Sequence, residues 1–470
     1  MSDTNVLLVI LDSVRAKNTS LHGHKHDTTP FLDEFASESV VYDQARSPGI
    51  HSISSHVSIF TGYEVAEHGV FGHTSTIDPS ETIWAELSAK GYETGLFTPN
   101  IVVGEASNLA DCFDVIEGGK RLFPEAMSPD EFVGNISIQE YVRKCIKDER
   151  PLQSFLNGVE TYFKPSNAHS PKREAANVYV DDFLNWFTER DGPWAACLNL
   201  MDAHYPYLPK DEFDEWGGKQ LQKIHKDLPK GPLTRTFLTG ECPMWQLEAL
   251  ENLYDGGIRQ MDHALRNLIG ELRRSGALNN TLLVITSDHG EGFGEHSLLD
   301  PRTPIIDHSW GIEEIQTHVP LVVRYPDGPT GRRISNLATL SKFPEVVRSV
   351  QTGDACADSF CPSDGQVVVS TFRMADPEKL PDTVADKDRF RGPWRAVYQL
   401  RDGTVFKYAD RGEDSVKLEV PNAQMAYKIK DSDGDYVSKV FNEMERYDIE
   451  KSRRDVSNAT EQRLEDLGYV

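Results

Sequence analysis

Asn5-Val-Leu-Leu-Val-Ile-Leu11 is an unbroken apolar run that ends on an acid, Asp12. It is too short for a membrane span, which takes about 20 residues, and its branched side chains suit a strand buried on both faces. Runs of the same kind recur at Thr94 to Phe97, Trp194 to Leu200, Leu282 to Thr286 and Val319 to Val323. Between them lie helical patterns at Pro79 to Lys90, Ala175 to Thr188 and Trp245 to Ser275, the last stopped by Gly276. Buried strands alternating with helices predict an α/β fold: a mainly parallel sheet sandwiched by helices.

In such sheets the working residues gather at the carboxyl ends of the strands. Asp12 follows the first run, Asp202-Ala203-His204 follows the third, and Asp288-His289-Gly290-Glu291 follows the fourth. Carboxylates and an imidazole meeting at one sheet edge suit a divalent cation. The segment from Ser47 to Gly62 reads as the opening of a helix, whose free N–H groups favour an anionic substrate.

Composition narrows the class further. The chain has 470 residues, 74 acidic against 49 basic side chains, a net charge of −25 and 39% hydrophobic residues. That is too apolar for disorder, and the charge opposes nucleic acid and anionic lipid. The acidic balance fits both a protein adapted to high salt and an ordinary cytoplasmic one. Met1-Ser-Asp-Thr4 leads straight into the first run with no basic segment or cleavage site, so a cytoplasmic location is expected, with no membrane span. Six scattered cysteines fit a reducing compartment, although Cys356 and Cys361 lie close enough in sequence to pair.

Two polar stretches, Lys120 to Lys172 and Lys210 to Pro243, read as insertions that shape a substrate pocket. Beyond Pro326 the runs shorten (Gln366 to Phe372, Trp394 to Leu400, Thr404 to Tyr408), with Asp402-Gly403 as a hairpin turn. The expected division is a catalytic domain over 1–333 and a smaller α+β subdomain over 334–470.

Four segments, in order, resemble the sulfatase family of the alkaline phosphatase superfamily: Val9-Ile-Leu-Asp-Ser-Val-Arg15, Ser52-Ile-Ser-Ser-His-Val-Ser-Ile-Phe-Thr-Gly62, Tyr254-Asp-Gly-Gly-Ile-Arg-Gln-Met-Asp262 and Thr286-Ser-Asp-His-Gly-Glu291. The tail Leu464-Glu-Asp-Leu-Gly-Tyr469 resembles the end of that family's small subdomain. The resemblance implies an alkaline-phosphatase-like fold. It implies one divalent metal ion (Ca, Mg, Mn or Zn) held by Asp12, Asp288 and His289, with Ser52, in the nucleophile position, also on the metal. His204, in His204-Tyr-Pro-Tyr207, matches the element whose histidine contacts the ester or protonates the leaving group, work that suits an imidazole. His308, preferred over His296, takes the place of an anion-binding residue. Asn100 is either a further polar contact or a plain loop residue. A second-metal arrangement adding Asp202, His204 and His308 stays open. By the same resemblance His22-Gly-His-Lys-His26 is an ordinary loop despite its metal-like spacing, and Arg15 is a structural ion-pair partner.

One departure bears on mechanism. Where well-known sulfatases carry Cys-x-Pro-x-Arg, with the Cys oxidised to formylglycine, this chain has Ser52, Ser54 and His56. A formylglycine hydrate expels sulfate by collapsing to an aldehyde, whereas a plain serine forms an ester that a second acceptor must cleave. The function expected is therefore a metal-dependent hydrolase of sulfate or phosphate esters with a serine nucleophile. Its substrate would be a small anionic ester or a sulfated or phosphorylated glycan. The alternatives are a phosphoryl- or sulfuryl-group transferase acting on a glycan or lipid, and a catalytically silent binding protein.

Overall fold

The structure is a computed structural model and describes residues 4–117, 138–148, 150–163, 176–229, 232–372, 377–431, 435–456, 460–461 and 464. Eight strands form the large sheet: β1 (Asn5–Leu11), β2 (Val40–Arg46), β3 (Glu93–Phe97), β4 (Val115–Glu117), β5 (Trp194–Leu200), β6 (Thr281–Thr286), β7 (Leu321–Arg324) and β8 (Arg332–Thr339). Their order is β8-β2-β7-β6-β1-β5-β3-β4. Only β7 runs against its neighbours, so the sheet is mainly parallel, as the apolar runs predict.

The centre of this sheet positions the site. β1 pairs in parallel with β5 and β6, with Leu11 opposite Leu200 and Ile10 opposite Thr286. The carboxyl ends of the three strands are therefore level, and the residues that follow them emerge side by side. Strand alternation feeds two cores. Leu7, Val9 and Leu11 pack with the helices Ala176–Thr188 and Met244–Arg274 on one face. Val6, Leu8 and Ile10 pack with the helices Ser52–Thr61 and Phe343–Thr352 on the other. No helix among the described residues is long and apolar enough to cross a membrane.

Five antiparallel strands, Gln366–Thr371, Trp394–Arg401, Thr404–Arg411, Asp414–Asn422 and Met425–Asp431, form a second sheet in chain order. Its first tight hairpin is the expected one, with Asp402 at φ 50 and Gly403 at φ 77. Two consecutive positive φ values are what a two-residue primed turn demands. The expected boundary at 333/334 falls inside β8, and the helix that follows packs on the large sheet. We propose instead that the smaller unit begins with the antiparallel sheet. The tail residues 465–470 and most of the stretch from Lys120 to Lys172 lie outside the described residues. No disulfide forms among the described residues, Cys356 and Cys361 included.

A buried charge network joins the two sheets. Glu314 Oε2 forms an ion pair with Arg46 of β2 at 2.9 Å, and Glu314 Oε1 accepts Lys407 Nζ at 3.0 Å and the Tyr398 hydroxyl at 2.7 Å from the second sheet. Burial alone would raise the Glu314 carboxyl from its usual 4.5, but Arg46 and Lys407 outweigh it and hold it at about 2. A carboxyl lowered on folding contributes stability above its unfolded pKa and loses it as pH falls towards the folded value. Glu314→Gln should cost about 3–5 kcal/mol at neutral pH by leaving two buried cations short of a partner. In urea unfolding, its gap from the wild type should shrink between pH 5 and pH 3; a constant gap would contradict the assignment.

Candidate active site

The turns after β1 and β6 are tied to each other. Val14 N–H donates to Ser287 Oγ at 2.9 Å, Ser13 N–H donates to Asp288 Oδ1 at 3.2 Å, and Ser287 Oγ in turn donates to the His289 carbonyl at 2.6 Å. Ser13 takes φ 63 to make its turn, a conformation that persists in a non-glycine residue only where the surroundings enforce it. Gly290 leaves no choice of residue: a Cβ there would lie 2.0 Å from the Ile315 carbonyl oxygen.

These turns bring Asp12, Asp288 and His289 together, all fully buried, with potential ligand atoms within 4.8 Å of one another. Asp12 Oδ2 accepts Asn100 Nδ2 at 2.7 Å and Asn199 Nδ2 at 3.2 Å, and Asp12 Oδ1 accepts Ser13 Oγ at 2.9 Å. Asp288 Oδ2 is buried with no hydrogen-bond partner. Burial, and then the neighbouring Asp12 carboxylate, push Asp288 up to about 7. Burial also acts to raise Asp12, but the His204 and His289 imidazoles and the Asn100 amide outweigh it and hold that carboxyl below its usual value. His289 Nδ1 lies 2.9 Å from the Gly290 carbonyl. A hydrogen bond there places the ring proton on Nδ1 and leaves the Nε2 lone pair facing the cluster. Two close buried carboxylates, an unsatisfied carboxylate oxygen and an oriented imidazole fit a divalent cation.

Ser52 opens the helix Ser52–Thr61, and His51 before it provides no side-chain cap. The first N–H groups of this helix therefore remain available to an anion. Ser52 Oγ lies 3.3 Å from His289 Nε2 and accepts Asn100 Nδ2 at 3.3 Å. Around it stands an arc of imidazoles. His308 lies 4.3 Å between ring centroids from His289, 5.5 Å from His204 and 6.2 Å from His51, and His51 lies 6.5 Å from His73. Burial, then the His289 and His204 imidazoles, push His308 well below its usual pKa. Behind it, Glu291 is raised to about 7 by burial. Burial and then Glu291 raise Asp307 well above the carboxylate range.

The structure thus brings Asp12, Ser52, His204, Asp288, His289 and His308 to one edge of the sheet. The Asp202 oxygens accept the Ala176 N–H at 2.9 Å and Gln260 Nε2, and Asp202 does not belong to either cluster of converging donors among the described residues. His56 sits beneath Ser52, with Nδ1 2.8 Å from the Ser52 carbonyl and 3.7 Å from Asp288 Oδ2. His296 is exposed. Arg15 is fully buried between Glu251 and Glu295, a structural role. Asn100, ambiguous in the sequence, contacts both Asp12 and Ser52. Asn199, His51 and His73 join the site without an expectation from the sequence. For Asn199 there was a signal: it is the one polar residue in the apolar run Trp194 to Leu200.

The sulfatase family profile matches residues 4–347. The chain belongs to the sulfatase family. The chain is 23% identical over 317 residues to an arylsulfatase of Clostridium perfringens, a stretch covering 62% of this chain and 64% of the relative. It is 21% identical over 364 residues to an N-acetylglucosamine-6-O-sulfatase of Bacteroides thetaiotaomicron, covering 68% of this chain and 63% of that one. It therefore spans a little under two thirds of the length of these relatives. Among solved structures it resembles the phosphonate monoester hydrolase of Agrobacterium radiobacter, with a TM-score of 0.57 at 17% identity, covering 93% of this chain and 90% of the other. That likeness shows the alkaline-phosphatase-like fold.

The site also depends on a close approach from the long helix Met244–Arg274. A Cβ on Gly257 would lie 2.2 Å from the carbonyl oxygen of Asp202, in the loop that carries His204. Gly257→Ala should cost about 1–3 kcal/mol by overpacking and should displace His204, read as shifted imidazole resonances in NMR; unchanged stability and spectra would contradict the packing argument. Asp288→Asn should cut the calcium or magnesium retained after dialysis, measured by elemental analysis, from one ion per chain to near zero. Unchanged metal content would remove Asp288 from the ligand set.

Proposed function

We propose that this sulfatase-family protein hydrolyses sulfate or phosphate esters with Ser52 as nucleophile. One divalent ion would be held by Asp12, Asp288 and His289, in contact with Ser52. The observation that carries this reading is the position of Ser52 Oγ: at an uncapped helix start and 3.3 Å from the imidazole that completes the two-carboxylate cluster. When bound, a cation there supplies positive charge that favours the alkoxide of Ser52 and neutralises the ester anion.

The chain's own groups divide the remaining work. The first N–H groups of the helix Ser52–Thr61 bind the non-bridging oxygens and stabilise the charge that develops on them. Asn100 Nδ2 donates to Ser52 Oγ and fixes its line of attack. His204 Nδ1 lies 2.7 Å from the Tyr205 carbonyl, which turns Nε2 towards the site. From there it protonates the departing alcohol, and its neutral form then accepts a proton from the water that cleaves the serine ester. His308 orients the anion alongside it.

A plain serine ester is more readily cleaved when it is a phosphoryl ester, so phosphate and phosphonate esters are expected to turn over ahead of sulfate. Sulfated or phosphorylated glycans belong to the same proposal, the Bacteroides relative being named for a sulfated sugar. The scattered cysteines favour a cytoplasmic location.

Ser52→Ala should lower turnover of a chromogenic ester panel by roughly a thousandfold or more while leaving the unfolding midpoint unchanged. Near-normal activity would overturn the assignment, and turnover that requires an added alcohol would favour a transferase.

A further inference from the structure

The tract His22-Gly-His-Lys-His26 does not enter the catalytic site. It forms the loop after β1, and the fold carries that loop against the long helix Met244–Arg274. There His24 Nε2 and His26 Nδ1 point at the same atom, Asp255 Oδ2, from 2.9 and 2.6 Å. The three side chains are 6%, 18% and 1% exposed. The two rings stand 5.1 Å apart at 86°.

The surroundings hold these groups in place. Asn18 Nδ2 donates to the other carboxylate oxygen, Asp255 Oδ1, at 2.7 Å, and so fixes the plane of the carboxylate. Trp216, from the polar stretch Lys210 to Pro243, stacks on His26 at 4.6 Å and 3°, and so fixes the plane of that ring. Such outer contacts are what orient metal ligands. Among the described residues this is the one cluster, besides Asp12, Asp288 and His289, whose donors converge closely enough for a metal ion.

We propose that His24, His26 and Asp255 form a second cation site, which takes one divalent transition metal and clamps the loop after β1 to the long helix.

Two imidazoles and one carboxylate select zinc, cobalt, nickel or copper over calcium or magnesium, which prefer all-oxygen shells. Metal–ligand bonds of about 2.0–2.2 Å place ligand atoms roughly 3–3.5 Å apart. The two nitrogens therefore need to withdraw from Asp255 Oδ2 by only about half an ångström, and the loop carries both of them. The site is structural. Because Trp216 packs on one ligand, the same ion anchors the Lys210 to Pro243 stretch that follows the His204 loop.

The test compares cobalt and zinc binding by the wild type and by His24→Gln/His26→Gln, each stripped of metal and matched in circular dichroism. Equilibrium dialysis should show the wild type binding one more cobalt or zinc ion per chain than the double variant. The extra ion should raise the thermal midpoint of the wild type alone. Either single variant should weaken the extra ion roughly tenfold or more, which keeps the test open should the double variant fold poorly. Equal stoichiometry in wild type and variants would overturn the proposal and leave a hydrogen-bonded cluster only. So would an extra ion that survives both substitutions.

Discussion

Asp12 and Asp288 place two carboxylates side by side, fully buried, at the ends of adjacent parallel strands. Like charges in a low-dielectric interior repel strongly, and a buried anion without a partner is costly. The protein meets this constraint with a dense set of donors: Asn100, Asn199 and two serine groups surround the pair, and a histidine backs it. One carboxyl is held low and the other is pushed up, the signature of a pair that shares too little positive charge. The level ends of β1, β5 and β6, the strained turn at Ser13 and the bare helix start at Ser52 all follow from keeping this cluster intact.

The fold was legible where burial on both faces left unbroken apolar runs. β1, β3, β5 and β6 were read from such runs, and β7 with a shift of about two residues. β2 was missed because Asp43, Gln44 and Arg46 interrupt it, and these residues serve ion pairs and hydrogen bonds at the rim of the sheet. β4 is only three residues long, and β8 has an exposed, charged first half. The cluster of Asp12, Asp288 and His289 was legible because strand ends are where an α/β sheet puts its chemistry, and the resemblance to sulfatases singles out these three. His51 and His73 were not, since the approach of His51 to His308 and to His73 depends on how separate loops meet at the helix start. The pairing of His24 and His26 with Asp255 spans about 230 residues, and no local pattern announces it.

The net charge of −25 gives these local arrangements their weight. The global field would repel the anionic ester proposed as substrate, so attraction would have to come from within the site: the proposed ion, helix N–H groups and imidazoles. The smaller unit contributes as well. Thr371 Oγ1, from the first strand of the second sheet, lies 3.4 Å from His51 Nδ1. The Glu314 network holds that sheet against β2, so the second unit supports the arc of histidines.

The central claim is that the buried carboxylate pair exists to hold one cation against Ser52. The most direct measurement is an anomalous difference map from crystals grown with manganese. The account predicts one strong peak bonded to Asp12, Asp288 Oδ2 and His289 Nε2, with Ser52 Oγ alongside. A map with no peak there, or a peak that leaves Asp288 Oδ2 without a ligand, would contradict it.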